Sequence, residues 1–118
     1  MNFSRATALC LLVLVAGTVS AQQVTLRCDL TYLKDGTKSE LWVVIDPAAN
    51  MMRVNGSARS LVMTNERYIG SDQSGAFTRI ASIDRNTGEI DVSSVYENQV
   101  VLPSKGICAK ATPPATKF

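Results

Sequence analysis

Histidine is absent from the 118 residues. With it go the commonest general base, the commonest metal ligand and every Ser-His-Asp or Cys-His mechanism. Charge of one sign is also scarce. Twelve basic residues stand against 10 acidic ones, a formal net charge of +2, and nucleic-acid binding needs a much denser basic face. The chain is too short for a second core or for the large barrel and doubly wound enzyme folds. It has no internal repeat, no C-x-x-C pair and no convincing amphipathic helix.

What is present begins with an address. Met1-Asn2-Phe3-Ser4-Arg5 carries one positive charge, and Ala6 to Ala16 runs without any. Val19-Ser20-Ala21 supplies the small residues of a cleavage site, so residues 1–21 are expected to be a secretory signal cut before Gln22. A membrane anchor is the competing reading, but the apolar stretch falls short of the roughly 20 residues a bilayer requires. The expected mature chain is periplasmic or secreted, inserts in no membrane, and carries a net charge of +1 once Arg5 is removed.

Two cysteines then remain, Cys28 and Cys108. In an oxidising compartment, with no competing thiol and no metal-ligand spacing, they are expected to pair. Two free thiols are the alternative; a nucleophilic cysteine lacks a histidine to activate it. The chain-entropy model gives such a bridge, closing a loop of 81 residues, on the order of 4.5 kcal/mol.

Alternation of apolar and polar residues predicts an antiparallel meander. Val24, Leu26, Cys28, Leu30 and Tyr32 share one face of a first strand. A second spans 40–46, with Leu41, Val43 and Ile45 on one face and Trp42 and Val44 on the other. If Pro47-Ala48-Ala49-Asn50 is the connecting loop, Val43 faces Val54, Val44 faces Arg53, Ile45 faces Met52 and Asp46 faces Met51. Asn55-Gly56 marks a tight turn, and Leu61 and Met63 mark a fourth strand. A short fifth over 67–71 is broken by Asp72-Gln73-Ser74-Gly75. Residues 77–84 and 89–96 make a hairpin about Arg85-Asn86-Thr87-Gly88, pairing Ile83 with Ile90, Ala81 with Val92 and Phe77 with Tyr96. Segments 100–102 and 106–110 close the domain around Pro103, and 111–118, with two prolines, is expected to be disordered. The fold expected over 22–110 is therefore all-β, seven or eight antiparallel strands forming a barrel or near-barrel with its terminal strands joined by the disulfide. A two-layer sandwich with bridged sheets is the rival.

Four features carry candidate chemistry. Asp84-Arg85-Asn86-Thr87-Gly88-Glu89 has part of a calcium loop's oxygens without its ladder or its distant glutamate, so a self-capped hairpin is the expectation and no metal is assigned. Arg79 shares the face of Phe77, Ala81 and Ile83, which aims a guanidinium at the core and demands an anion, from the protein or from a ligand. A bulge near Arg79, or an edge position, would relieve that demand and is the expected explanation. Trp42 and Val44, with Met51 and Arg53 across the strand pair, have the composition of a protein-binding patch, unless a loop, the tail or a second sheet covers them. Asp84, Glu89 and Asp91 lie on the solvent side of one hairpin, a solvated polar face rather than the acid pair that glycoside chemistry needs.

The leader, the early cysteine, Leu41-Trp42-Val43-Val44-Ile45-Asp46, Ile83-Asp84-Arg85-Asn86-Thr87-Gly88 and the final Gly106-Ile107-Cys108 resemble those of small exported proteins of proteobacteria. More distantly, size, strand count and terminal bridge are similar to the periplasmic C-type lysozyme inhibitors, small β-barrels that insert a Ser-Gly-x-x-Tyr motif into the enzyme cleft. The corresponding segment here is Ser74-Gly75-Ala76-Phe77-Thr78, with the aromatic one place earlier. The resemblance implies compartment and fold more than activity. The function expected is a binding module without enzymatic activity or cofactor, with inhibition of an enzyme among its forms, whose partner is an envelope or extracellular protein met at the Trp42 patch or the Ser74-Gly75 loop. Small-ligand carriage in the barrel interior, with Arg79 as anion partner, is the alternative.

Overall fold

A computed structural model describes residues 22–112. The expected leader, 1–21, and the last six residues, 113–118, lie outside them. Eight strands follow in chain order: β1 (Val24–Tyr32), β2 (Lys38–Asp46), β3 (Met51–Val54), β4 (Ser57–Met63), β5 (Arg67–Ser74), β6 (Phe77–Asp84), β7 (Glu89–Tyr96) and β8 (Gln99–Lys110). Each is antiparallel to the next, and β8 returns to pair with β1, so the sheet closes into a barrel rather than splitting into a sandwich.

The alternation explains the closure. Leu26, Cys28, Leu30, Val43, Ile45, Met52, Val54, Leu61, Ala81, Ile83 and Ile90 are all buried on the inward face, which one rolled sheet covers without a second layer. The β2–β3 register pairs Val43 with Val54 and Ile45 with Met52, and the β6–β7 register pairs Ile83 with Ile90 and Ala81 with Val92, as the apolar pattern requires. Cys28 sits directly opposite Cys108 on the β1–β8 seam, and the two form a disulfide.

The turns follow residue chemistry. Asn55 and Gly56 both take positive φ, 49° and 85°, as a two-residue hairpin turn of the primed type demands. Gly88 closes the β6–β7 turn at φ 81°, while the Asp84 carboxylate accepts from the backbone N–H groups of Asn86 and Thr87. Pro47–Ala49 is a single 3-10 turn whose carboxylate cap is Asp46.

Three expectations about strand limits need correction. β2 begins at Lys38, two residues before the expected Glu40. Asp72-Gln73-Ser74 do not break β5 but extend it, because β6 pairs with them residue for residue from Asp72–Arg79 to Ser74–Phe77. The two closing segments form one strand, β8, in which Pro103 sits at a bulge: Val92 pairs with Ser104 and Ser94 with Val101, so that Ser93 of β7 stands against both Leu102 and Pro103 of β8. Leu102 takes φ 52° there. Just past β8, the Ala111 N–H donates to the Thr25 carbonyl at 3.0 Å.

Candidate functional site

The turns β1–β2, β3–β4, β5–β6 and β7–β8 lie at one end of the barrel, called upper here. The wall is not uniform at that end. The β4–β5 ladder runs from Met63–Tyr68 only as far as Ser60–Ser71, although β4 continues through Arg59, Ala58 and Ser57 and β5 through Asp72, Gln73 and Ser74. β3 is four residues long, so it covers only 43–46 of β2 and leaves 38–41 paired with β1 alone. The lower half of the interior holds Ile45, Met52, Ile83, Ile90 and Val43, all fully buried. The upper half opens into a split mouth.

Charged side chains face into that mouth. Arg79 holds its inward position, since β6 keeps an unbroken register with β5 and β7 through Arg79. The expected bulge is absent from β6 and lies on β8 instead, and in a closed barrel β6 has no edge. The anion it requires is Asp72, directly across the ladder. Arg79 Nε donates to Asp72 Oδ1 at 2.8 Å and Nη2 to Oδ2, a two-point clamp on side chains that are 36% and 22% exposed. The hydrogen bond from Arg79 holds the Asp72 carboxyl below the usual carboxylate range, and Asp72 in turn raises Arg79.

A second inward arginine, Arg59, had no place among the sequence candidates. It is 8% exposed, the one buried charged residue among those described, and its Nε and Nη1 find no hydrogen-bond partner in the protein. Burial lowers its pKa, the Asp72 charge opposes that, and the Arg79 charge reinforces it, so the three groups share one field. The signal was in the sequence: Ser57, Arg59, Leu61 and Met63 alternate as one face once the Asn55-Gly56 turn starts β4 at Ser57.

Aromatic side chains form the rim. Phe77 and Tyr96 occupy inward positions above Arg79 yet are 40% and 39% exposed, their ring centroids 5.0 Å apart. Leu33, Val100 and Leu102 are exposed at the same end, and the Leu33 N–H donates to the Pro103 carbonyl. Ser74 and Gly75 sit beside Phe77 at the β5–β6 turn, Gly75 at φ 62°. The Trp42 group lies elsewhere, on the outer wall. There Trp42, Val44 and Met51 are half-buried and Arg53 is exposed. Trp42 Nε1 donates to Glu40 Oε1 at 3.0 Å, and Glu40 also accepts from Arg27 Nε at 2.7 Å, so the indole edge and its acidic neighbour are already engaged.

Comparison with protein-family models, curated proteins and solved structures gives no match. The site is therefore read from its chemistry alone. Asp84 is committed to its own turn, and Glu89 and Asp91 stand on solvated strand positions without a second carboxylate in a dry cleft. The mouth presents aromatic rings at its rim and, beneath them, two arginines against one carboxylate.

Proposed function

We propose that the protein is an exported, non-enzymatic binding module that meets a protein partner with its upper mouth, at the Ser74-Gly75 turn and the Phe77–Tyr96 pair. The observation that carries this reading is the placement of two aromatic rings in tilted contact at inward positions that the barrel leaves open. Aromatic residues of this kind supply large contact area at low entropic cost and dominate binding energy where water is excluded on docking. Leu102 supports the same end: a large apolar residue held exposed and at positive φ is costly by roughly 1–3 kcal/mol and brings no burial in return. Export is favoured by the buried disulfide, which suits an oxidising compartment.

Of the two surfaces expected from the sequence, the Ser74-Gly75 loop is preferred over Trp42, whose polar edge is satisfied within its own sheet. Carriage inside the barrel with Arg79 as anion partner is not preferred, because Arg79 already has its anion in Asp72.

The test uses the processed, oxidised protein as bait in its own envelope fraction, beside a Phe77→Ala/Tyr96→Ala variant. Both side chains are exposed, so the variant is expected to keep its melting midpoint while losing at least about tenfold in affinity for the captured partner. Unchanged affinity in the double variant, or loss on Trp42→Ala alone, contradicts the proposal. Mass spectrometry of the mature chain is expected to place its N-terminus at Gln22.

A further inference from the structure

We infer that the split between β4 and β5 is a binding site for one small oxyanion, held by Arg59. This goes beyond the docking of a protein at the rim and uses different residues.

A guanidinium this deeply buried costs free energy unless each N–H finds an acceptor. Arg59 presents three such bonds without one, a single N–H on Nε and two on Nη1. Its cross-strand neighbour Met52 offers a weakly accepting thioether, and Asp72 has both carboxylate oxygens clamped by Arg79. Arg59, Asp72 and Arg79 together carry one uncompensated positive charge. The protein thus supplies two cations and one internal anion, with donors on Arg59 still unanswered.

Access comes from the interrupted ladder. A cleft of about 750 Å³ lies over it, with Arg59 and Asp72 in its wall beside Ser60, Ser71, Gln73 and Thr78. These residues add hydroxyl and amide groups to the arginine donors. A planar carboxylate or a tetrahedral phosphate or sulfate matches this chemistry, because each brings a charge and several acceptor oxygens together.

The experiment titrates the processed, oxidised protein with sodium phosphate, sodium sulfate and sodium acetate in separate series at constant ionic strength, with sodium chloride as reference. It follows the Arg59 Nε–Hε resonance and the melting midpoint. The expected result is a saturable shift of that resonance, with a midpoint that climbs with the logarithm of oxyanion concentration. Saturation by acetate alone identifies a carboxylate ligand, and saturation by phosphate and sulfate identifies a tetrahedral one; either supports the site. Arg59→Met, which keeps length without donors, is expected to weaken binding at least about tenfold, and Asp72→Asn, which raises the local charge, to tighten it several-fold. A resonance that does not saturate with any oxyanion, or that moves equally with chloride, overturns the inference. So does saturation retained in Arg59→Met, and the wild-type titrations decide the matter even if that variant does not fold.

Discussion

Two glycines show how closely single residues set the barrel. A Cβ at Gly106 would collide with the backbone carbonyl of Asp29 on the neighbouring strand, whereas one at Gly70 would meet only the flexible side chain of Met52. Backbone cannot yield as a thioether can. Gly106→Ala is therefore expected to lower the urea midpoint by the equivalent of about 3 kcal/mol and Gly70→Ala by about 1 kcal/mol, the two ends of the usual range for overpacking. Equal losses would contradict the distinction. Four carboxylates set the response to acid: Asp72 bound by Arg79, Glu40 by Arg27, Asp35 by Thr37, and Asp84 by the N–H groups of its own turn, all titrating below their ordinary values. A depressed folded pKa contributes stability that is present above about pH 4, the unfolded value, and is lost as pH falls through the folded one. No histidine titrates in between. The melting midpoint is thus expected to stay level from pH 7 to about pH 5 and to fall below about pH 4, less steeply in Asp72→Asn. At this scale the sequence was only half legible. Arg79 could be placed inward from the alternation of Phe77, Ala81 and Ile83, but its partner Asp72 was hidden because Asp-Gln-Ser-Gly has turn composition and β5 keeps it extended through pairing with β6. Arg59 was not legible because Leu61 and Met63 mark the apolar face of its strand and an arginine does not continue it.

Among the elements, those with strict alternation at both ends were legible: β1, β6 and β7 have the limits that the pattern implies, and the Asn55-Gly56 and Gly88 turns take the φ values those residues favour. β8 was not legible, because Pro103 reads as a break. The bulge resolves it by giving β8 one more residue than β7 at that point and putting Leu102 in the left-handed region. Glycine occupies that region without the steric cost of a Cβ. Leu102→Gly is accordingly expected to raise the melting midpoint by the equivalent of up to about 1 kcal/mol while weakening partner binding at the rim. A variant that is destabilised would show that the leucine packs in the isolated protein. Glu97 and Asn98, at φ 50° and 63° in the β7–β8 turn, pose the same question with less at stake, since a two-residue turn of this kind prefers Asn-Gly.

At the level of the whole molecule, the barrel is a sheet whose two ends are held by one covalent bond between β1 and β8. Cys28 and Cys108 are buried on the seam, with 80 residues of separation between them. Reduction is expected to lower stability by about 4 kcal/mol in urea titrations, near the chain-entropy value for a loop of that size. A change below about 1 kcal/mol would mean that the β1–β8 ladder alone keeps the barrel closed. Along its axis the molecule divides into an apolar lower half and a split, charged upper mouth rimmed by aromatic residues. The account rests on that mouth being the face that meets the partner. A photo-reactive amino acid placed at position 77, and separately at position 42, in the protein expressed in its own host tests this most directly. A specific covalent adduct from position 77 and none from position 42 is the expected result; an adduct from position 42 alone, or from neither, would contradict it.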